Sequence, residues 1–331
     1  MNKKCKLALV GATGLVGRMV IKVLEEKKLP ISDYLFLASE KSCGSKVTLL
    51  GKEYTVETLN EHSFDNKVDY AIFCAGGEVS KKYSPLAVSK GTIVIDNSNA
   101  FRMDDDVPLV VPEVNPQDIF NHKGIIANPN CSTIQAMVAL KPLDDKYKIK
   151  RIIYSTYQAV SGAGQEGIND LLNTLKNEKN KKFPYPIANN CIPHIDSFTE
   201  NGYTKEEMKM INETKKILHN NELKITATTV RVPVINSHSE SINIEFENEI
   251  DILDIKRILE NSPGVILEDN PDNNIYPLAE NATGTDYVYV GRIRRDYSVK
   301  NGINMWVVAD NIRKGAASNA VQILEIILNN K

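Results

Sequence analysis

Residues 6–17 read KLALVGATGLVG, and this stretch decides the fold class of the first part of the chain. Residues 6–10 form an apolar run that is long enough for a buried strand and too short for a helix. A glycine-rich turn follows, and apolar residues then recur at Val16, Val20, Val23 and Leu24 with helical spacing. A strand, a glycine turn and a helix in direct succession indicate the start of a parallel α/β sheet.

The same alternation continues outward from this stretch. Further buried strands are predicted at 35–39, 70–75, 92–98 and 109–114, separated by helices or loops. We therefore predict a Rossmann-type, doubly wound parallel sheet over residues 1–130. After residue 130 the pattern indicates an α+β domain with a mixed sheet over 131–312, with strands at 151–159, 225–234, 240–247, 287–294 and 303–309. A C-terminal helix over 313–331 is predicted to join the first domain.

Composition excludes several classes of protein. The 331 residues suggest about two domains. They are 42% hydrophobic and 25% charged, as in soluble globular chains. Forty basic against 42 acidic residues give a net charge of −2, which disfavours a nucleic-acid partner. No apolar run is long enough to span a membrane, and no secretory leader is visible. The five cysteines are widely spaced without a C-x-x-C pair, so we predict a cytoplasmic protein with no structural metal.

The glycine turn has the spacing of a phosphate-binding loop. Gly11, Gly14 and Gly17 let the backbone approach a pyrophosphate, and the start of the following helix offers unpaired N–H groups. The spacing departs from G-x-G-x-x-G, because Thr13 stands where the second glycine would be. A purely structural turn is the alternative.

The end of the second strand is predicted to select the nucleotide. Ser39, Lys41 and Ser42 suit a 2′-phosphate, although Glu40 among them would repel it. The pattern favours NADP over NAD, with an ordinary exposed polar loop as the alternative.

Asn128-Pro-Asn130-Cys131-Ser-Thr is the second motif. Cys131 lies where a strand gives way to a helix, and a helix N-terminus favours a thiolate. A lone cysteine is usually a small core residue, but this polar turn is a poor place for one. We therefore interpret Cys131 as a nucleophile.

A nucleophilic thiol needs a proton-transfer partner and a substrate-binding group. His238 follows one predicted strand and precedes another, so it is the best candidate among five histidines; a structural histidine is the alternative. Arg231 begins the same stretch and could bind a carboxylate with two hydrogen bonds. Glu206 and Lys209 lie one helical turn apart, which by itself more often means an exposed ion pair.

Together these segments resemble the NADP-dependent bacterial aspartate-semialdehyde dehydrogenase family from Gly11 to about Gln322. The most specific segments are GATGLVG, SNAFRMDDDVPLVVPEVN, NPNCSTIQ, STYQAVSGAG, RVPVINSHSE and DNIRKGAASNAVQ. Lys41 stands where members of this family often have arginine, which puts strict NADP preference in doubt. The segment after SGAG is shorter than in some members, which puts the oligomer contacts in doubt.

The resemblance implies a role for each matching residue. Cys131 would be the acyl-forming nucleophile, His238 the acid/base and Gln158 the residue that orients the reacting groups. The substrate would be held by Arg231 at its carboxylate, by Glu206 at its amino group, by Arg102 and Lys209 at its phosphate, and by Asn130. The cofactor would lie against Gly11, Thr13, Gly14, Leu15, Val16, Gly17, Ser39, Lys41, Ser42, Ser161, Gly162 and Asn311.

The implied reaction is the NADPH-dependent reductive dephosphorylation of L-aspartyl 4-phosphate to L-aspartate 4-semialdehyde through a cysteine thioester. It belongs to lysine, threonine, methionine and isoleucine biosynthesis. The implied partners are the small-molecule substrate, inorganic phosphate and a second copy of the chain, as a homodimer or homotetramer.

Three other activities stay open at this point. N-acetyl-glutamyl-phosphate reductase would use the same chemistry, but Glu206 suits a substrate with an unmodified ammonium. A redox sensor would leave Gln158 and the arginines without a role, and a cysteine hydrolase would not need the nucleotide domain.

Overall fold

The computed structural model describes residues 5–330, and within them the chain forms two units. One unit contains residues 5–129 together with residues 316–330, and the other is Asn130–Gly315. The outermost limits of the predicted domains, residues 1–4 and 331, lie outside the described residues. Within the described range, no helix is both long and apolar enough to cross a membrane.

The first unit is built on a six-stranded sheet in which every pairing is parallel, in the order β5-β2-β1-β6-β7-β8. Its strands and helices, with the β3–β4 hairpin, are β1 (Lys6–Val10), α1 (Leu15–Lys27), β2 (Asp33–Ala38), β3 (Lys46–Leu49), β4 (Lys52–Thr55), β5 (Glu57–Thr58), β6 (Tyr70–Phe73), α2 (Gly77–Ser89), β7 (Ile93–Asp96) and β8 (Ile125–Ala127). Chain order reverses at β1, so a crevice forms at the carboxyl ends of β1 and β6, where such sheets bind ligands.

The second unit is built on a mixed six-stranded sheet in the order β10-β9-β11-β14-β13-β12, which joins parallel and antiparallel pairs. Its elements are α3 (Cys131–Tyr147), β9 (Ile149–Gln158), α4 (Gly164–Leu175), α5 (Lys205–Ile217), β10 (Lys224–Arg231), β11 (His238–Phe246), α6 (Ile252–Glu260), β12 (Val265–Leu267), α7 (Ala279–Ala282), β13 (Val288–Asp296) and β14 (Gly302–Ala309). Side chains along β11 alternate strictly between buried and half-buried, because one face of the strand lies inside the unit.

The C-terminal helix α8 (Asn319–Asn329) belongs to the first unit. Its apolar face packs into the same core as Leu7 and Leu9 of β1 and Ile72 of β6. The Asn319 side chain fixes the start of the helix by donating to the backbone oxygen of Val110 at 2.9 Å. The residues before it, Arg313–Ser318, form a π-helical segment.

The predicted fold class is confirmed, whereas the strand predicted at 109–114 is wrong. Leu109 makes only an isolated bridge to Ala127, and residues 110–114 are outside any strand. Val110 and Val111 are buried, so the apolar pattern correctly predicted burial at these positions. Pro112 lacks a backbone N–H and is poorly suited to a ladder, which explains why the segment packs without pairing.

Candidate active site

Cys131 is the first residue of α3, and Asn130 is the N-cap of that helix. The side-chain oxygen of Asn130 accepts hydrogen bonds from the backbone N–H groups of Ser132 and Thr133 at 3.0 and 3.4 Å. The positive end of the helix dipole favours a negative charge at this end. The half-buried Cys131 side chain therefore begins a helix in a position that stabilises a thiolate.

A buried carboxylate, Glu206, connects Asn130 to two other predicted site residues. Its Oε1 accepts hydrogen bonds from Asn130 Nδ2 at 2.9 Å and from Gln158 Nε2 at 3.0 Å. Its Oε2 accepts one from Lys209 Nζ at 3.1 Å. Thr156 Oγ1 donates to Gln158 Oε1 at 3.0 Å, so the Gln158 amide is held from both ends. The helix cap, the amide and the ion pair thus form one connected group.

The charges in this group stabilise each other. Burial alone would raise the pKa of Glu206, but Lys209 and the amide donors lower it to about 2. Burial alone would lower the pKa of Lys209, but Glu206 and Asp196 raise it. Lys209 Nζ also donates to Asp196 Oδ2 at 2.9 Å. Both members of the pair are therefore ionised at neutral pH, on one face of α5.

His238 is the first residue of β11 and is fully buried. The backbone N–H of Ala159 donates to its Nδ1 at 2.9 Å. A neutral imidazole that accepts at Nδ1 carries its proton on Nε2. Burial and then the positive charge of Arg231 lower the pKa of His238 to about 3, so the ring is neutral at pH 7. Its Nε2 makes no hydrogen bond with any residue of the described range.

Arg231 is the last residue of β10, and its guanidinium is almost completely buried. Nη1 donates to the backbone oxygen of Ala159 at 2.7 Å. Burial lowers the pKa of Arg231, while the negative charges of Glu206 and Cys131 act to raise it. Arg231 therefore lies within electrostatic reach of the Cys131 thiol and of the Glu206 group.

Two glycines lie so close to these side chains that there is no room for a Cβ. A Cβ at Gly162 would lie 2.8 Å from Arg231 Nη1 and 3.2 Å from His238 Nε2. A Cβ at Gly315 would lie 2.8 Å from the Cβ of Cys131. The two distances of 2.8 Å are shorter than real Cβ contacts, so a larger residue would displace Arg231 at the first position or Cys131 at the second.

Ser161 and Asn311, predicted near the cofactor, bind each other. Asn311 Nδ2 donates to Ser161 Oγ at 3.0 Å, and the backbone N–H of Ser237 donates to Asn311 Oδ1 at 2.9 Å. Both side chains are buried. They therefore hold the turn before Gly162 to the turn before His238.

The glycine loop of the first unit has the shape of a phosphate-binding turn. Gly11 has a φ of +82°, and a Cβ there would lie 2.6 Å from the backbone oxygen of Cys74, just after β6. A Cβ at Gly17 would lie 2.2 Å from the oxygen of Gly11. Gly14 caps α1 without a side-chain hydrogen bond, so the N–H groups at Leu15 and Val16 begin an uncapped helix. This loop fits a dinucleotide pyrophosphate.

The residues predicted to select the nucleotide follow β2. Ser42 Oγ accepts a hydrogen bond from Thr13 Oγ1 at 3.0 Å, which ties this segment to the glycine loop. Ser39, Lys41 and Glu40 are exposed. The surface therefore carries both a lysine and a carboxylate beside the two serines.

Arg102 belongs to the first unit, whereas the other predicted substrate residues belong to the second. It is 7% exposed, and its Nε and Nη2 donate to the backbone oxygens of Asn128 and Asn97, each at 2.9 Å. These bonds fix its guanidinium beside the end of β8.

Three residues that support the site were not predicted from the sequence. Thr156, Asp196 and Gly315 each contact a predicted site residue. The GAA run at 315–317 was the only signal for Gly315, and neither of the other two has a local pattern. Among the described residues, no group of three or more His, Cys, Asp or Glu side chains is arranged to hold a metal ion.

Comparison with known proteins identifies the class to which this fold and site belong. Residues 6–122 match the family model "Semialdehyde dehydrogenase, NAD binding domain", and residues 140–314 match "Semialdehyde dehydrogenase, dimerisation domain". The chain therefore has the two domains of a semialdehyde dehydrogenase, an oxidoreductase that uses a nicotinamide cofactor.

Individual relatives show which semialdehyde dehydrogenases the chain resembles. An aspartate-semialdehyde dehydrogenase of Aquifex aeolicus is 55% identical over 98% of each chain. A crystal structure of aspartate semialdehyde dehydrogenase II complexed with ASA from Vibrio cholerae has a TM-score of 0.94 and 45% identity over 99% of each chain. A crystal structure of the enzyme with NADP from Candida albicans has a TM-score of 0.78 and 27% identity over 98% of each chain. The chain belongs to the aspartate-semialdehyde dehydrogenase family.

Proposed function

We propose that this chain converts L-aspartyl 4-phosphate to L-aspartate 4-semialdehyde, using NADPH and a thioester on Cys131. One observation carries the proposal. The side chain of Asn130 caps the helix that starts at Cys131 and also donates to Glu206. Asn130 thereby links an ionised carboxylate to the helix start that carries the nucleophile, which suits a substrate with a free ammonium group.

The first step is attack of the Cys131 thiolate on the acyl carbon. A C–S bond forms, the C–O bond to phosphate breaks, and phosphate leaves with the electron pair. The start of α3 and the charge of Arg231 favour the thiolate without a base. Lys209 and Arg102 would neutralise the departing phosphate, and the guanidinium of Arg231 would bind the substrate carboxylate.

The second half-reaction needs a hydrogen-bond donor at the oxygen of the reacting carbonyl. The nicotinamide, when bound, supplies the hydride that reduces the thioester. His238 carries its proton on Nε2, so it is suited to donate a hydrogen bond to the oxygen that becomes negative. The Cys131–carbon bond then breaks, and the aldehyde is released. Gln158, held by Thr156 and Glu206, would orient the reacting carbonyl.

NADP is proposed over NAD because the segment after β2 contains two serines and a lysine, which suit a 2′-phosphate. Ser39 and Lys41 are exposed there, and Ser42 is tied to Thr13 in the glycine loop. The relative from Candida albicans was crystallised with NADP. Ser161, Gly162 and Asn311 would support the nicotinamide end. A cytoplasmic location stays a prediction from the cysteine pattern.

A homodimer or homotetramer is proposed to form through the half-exposed face of the second sheet. Tyr157 and Trp306 are neighbours on this face, with ring centroids 5.4 Å apart. Together with Arg292 and Arg294 they line a groove of about 380 Å³. Aromatic side chains and arginines are enriched in protein interfaces.

An absorbance assay in the oxidative direction tests the reaction. L-aspartate semialdehyde, NADP and inorganic phosphate should give NADPH, and the rate should disappear without phosphate or in Cys131→Ala. Cys131→Ala should still bind NADP. Activity only with N-acetyl-glutamate semialdehyde would keep the thioester and overturn the substrate. NADP binding with no activity on either aldehyde would favour a redox sensor.

A further inference from the structure

The guanidinium of Arg231 lies on an aromatic ring that the proposed mechanism does not use. Its Cζ is 5.9 Å from the ring centroid of Phe183. A cation over an aromatic face within about 6 Å is attracted to it, more strongly where water is excluded. Arg231 is 5% exposed, so this ring is part of a largely dry environment.

Phe183 is unusual in its own segment. Its neighbours Lys181, Lys182, Pro184 and Tyr185 are exposed, whereas Phe183 is half-buried and packs on a small apolar cluster. That cluster consists of Val160, Leu171, Ile187 and Ile192, with Ile168 beside it. The segment before it is rich in Lys and Asn, yet Phe183 itself packs against the interior of the unit.

A buried carboxylate on α4 holds the backbone around Phe183. Asp170 is 2% exposed and accepts hydrogen bonds from the N–H groups of Lys181, Lys182 and Phe183 at 2.8, 2.7 and 2.9 Å. Burial alone would raise the pKa of Asp170, but these donors lower it, so the side chain is ionised at neutral pH. Three bonds from consecutive residues fix the direction in which the Phe183 side chain leaves the backbone.

Helix α4 also approaches the tip of the Phe183 ring. A Cβ at Gly167 would lie 3.3 Å from Cζ of Phe183 and 2.3 Å from the oxygen of Val160. The helix therefore approaches both the ring and the turn that precedes Gly162. Helix α4 and the apolar cluster therefore both restrict the position of the ring.

We propose that Phe183, fixed by Asp170, is a positioning residue that orients Arg231 for the substrate carboxylate. The inference rests on the proposed function, because it takes Arg231 as the carboxylate-binding residue. The backbone oxygen of Ala159 fixes only Nη1 of the guanidinium. Attraction to the Phe183 ring, 5.9 Å from Cζ, is a second constraint on the orientation of the fork, and a bidentate carboxylate contact requires a fixed orientation.

The test is steady-state kinetics of Phe183→Leu, which keeps an apolar side chain and removes the ring. We expect KM for aspartate semialdehyde to rise about tenfold, with kcat and KM for NADP changed less than about twofold. Asp170→Asn should raise the same KM, because an amide replaces the charged acceptor. Phe183→Tyr keeps the ring and should behave as the wild type.

Controls separate positioning from general loosening and from failure of the proposed function. Ile187→Val disturbs the same cluster and should leave KM unchanged; an equal rise would overturn the proposal. Arg231→Lys should raise KM, and adding Phe183→Leu to it should have little further effect, whereas additive effects would show that Phe183 does not act through Arg231. An Arg231→Lys variant with unchanged KM overturns both the role of Arg231 and this inference. Wild type without semialdehyde activity overturns the proposed function itself.

Discussion

His238 and Glu240 lie two residues apart on β11, so both side chains point to the buried face of the strand. Each is shifted towards its neutral form, for opposite reasons. Burial and Arg231 lower the pKa of His238, whereas burial raises the pKa of Glu240 well above its ordinary value. The buried face of β11 therefore presents two groups shifted towards their neutral forms, whereas Arg231, Lys209, Glu206 and Asp196 carry charge in the site.

The tautomer of His238 predicts how Cys131 becomes a thiolate. Nδ1 accepts from Ala159, so the neutral ring cannot take the thiol proton at Nε2. We expect His238→Asn to lower kcat by about 10²- to 10⁴-fold while the pH midpoint of Cys131 alkylation by iodoacetamide stays within about 0.3 units. Arg231→Gln should raise that midpoint.

The alkylation of other cysteines must be subtracted from the measured reaction. Cys43 and Cys191 are exposed and will also react, so the Cys131→Ala protein supplies the background. A rise of about one unit in the alkylation midpoint of His238→Asn would mean that the imidazole pairs with the thiolate, against the tautomer derived from the hydrogen bond.

Glu240 predicts a pH dependence of stability. Its folded pKa is raised, so between about pH 4.5 and the folded pKa the folded chain keeps a proton that the unfolded chain releases. Stability from this residue is therefore fully present at low pH and falls by about 1.4 kcal/mol per pH unit as pH rises. Glu240→Gln removes the loss, so its Tm minus that of the wild type should grow from about pH 5 to about pH 8.

The matched control for this measurement is Glu245→Gln on the same strand. Glu245 is half-exposed and pairs with Lys150, so its Tm difference should not grow with pH. A Tm difference for Glu240→Gln that stays constant over this range would mean that Glu240 is ionised in the folded chain.

Helix α3 shows how one capping residue serves both an element and the site. Asn130 accepts from Ser132 and Thr133 and donates to Glu206. Its own backbone N–H donates to Glu213 of α5 at 2.7 Å. The start of the helix and the position of the carboxylate are therefore not independent.

Substitution at Asn130 separates the two roles. Asn130→Asp keeps the cap acceptor but loses the donor to Glu206 and adds a like charge, so it should raise KM for the semialdehyde. Asn130→Ala loses both and should also destabilise the fold by about 0.5–2 kcal/mol. Kinetics and urea unfolding of both variants give the comparison, and an Asp variant with wild-type KM would detach Asn130 from the substrate.

Local patterns predicted elements well where the neighbours in sequence were also the neighbours in space. The strand and turn at 6–17 are such a case, because β1, Gly11 and α1 follow each other directly. Residues 109–114 failed because burial without pairing has the same apolar signal as a strand. The bonds from Asp170 to residues 181–183 span 11 to 13 positions, and composition alone does not contain them. Phe183 and Arg231, which are also in contact, are separated by still more positions in the sequence.

At the scale of the whole molecule, the half-exposed face of the second sheet predicts self-association. Ser241 lies near the middle of this face, opposite Ser155 on β9 and Trp306 on β14. It is half-buried in a single chain, and it lines the same groove as Tyr157 and Arg294. A small residue at this point allows two flat surfaces to approach closely, whereas a long charged side chain would be buried without a partner.

We expect Ser241→Arg to shift the protein from dimer or tetramer towards monomer, because an unpaired guanidinium in an interface core is costly. Sedimentation velocity over a range of concentrations measures the change, and circular dichroism checks that the monomer stays folded. Ser89→Arg, at an exposed position at the end of α2, is the control and should keep the native assembly. If Ser241→Arg sediments as the wild type does at every concentration, association uses another surface, and the aromatic groove beside Tyr157 needs a different explanation.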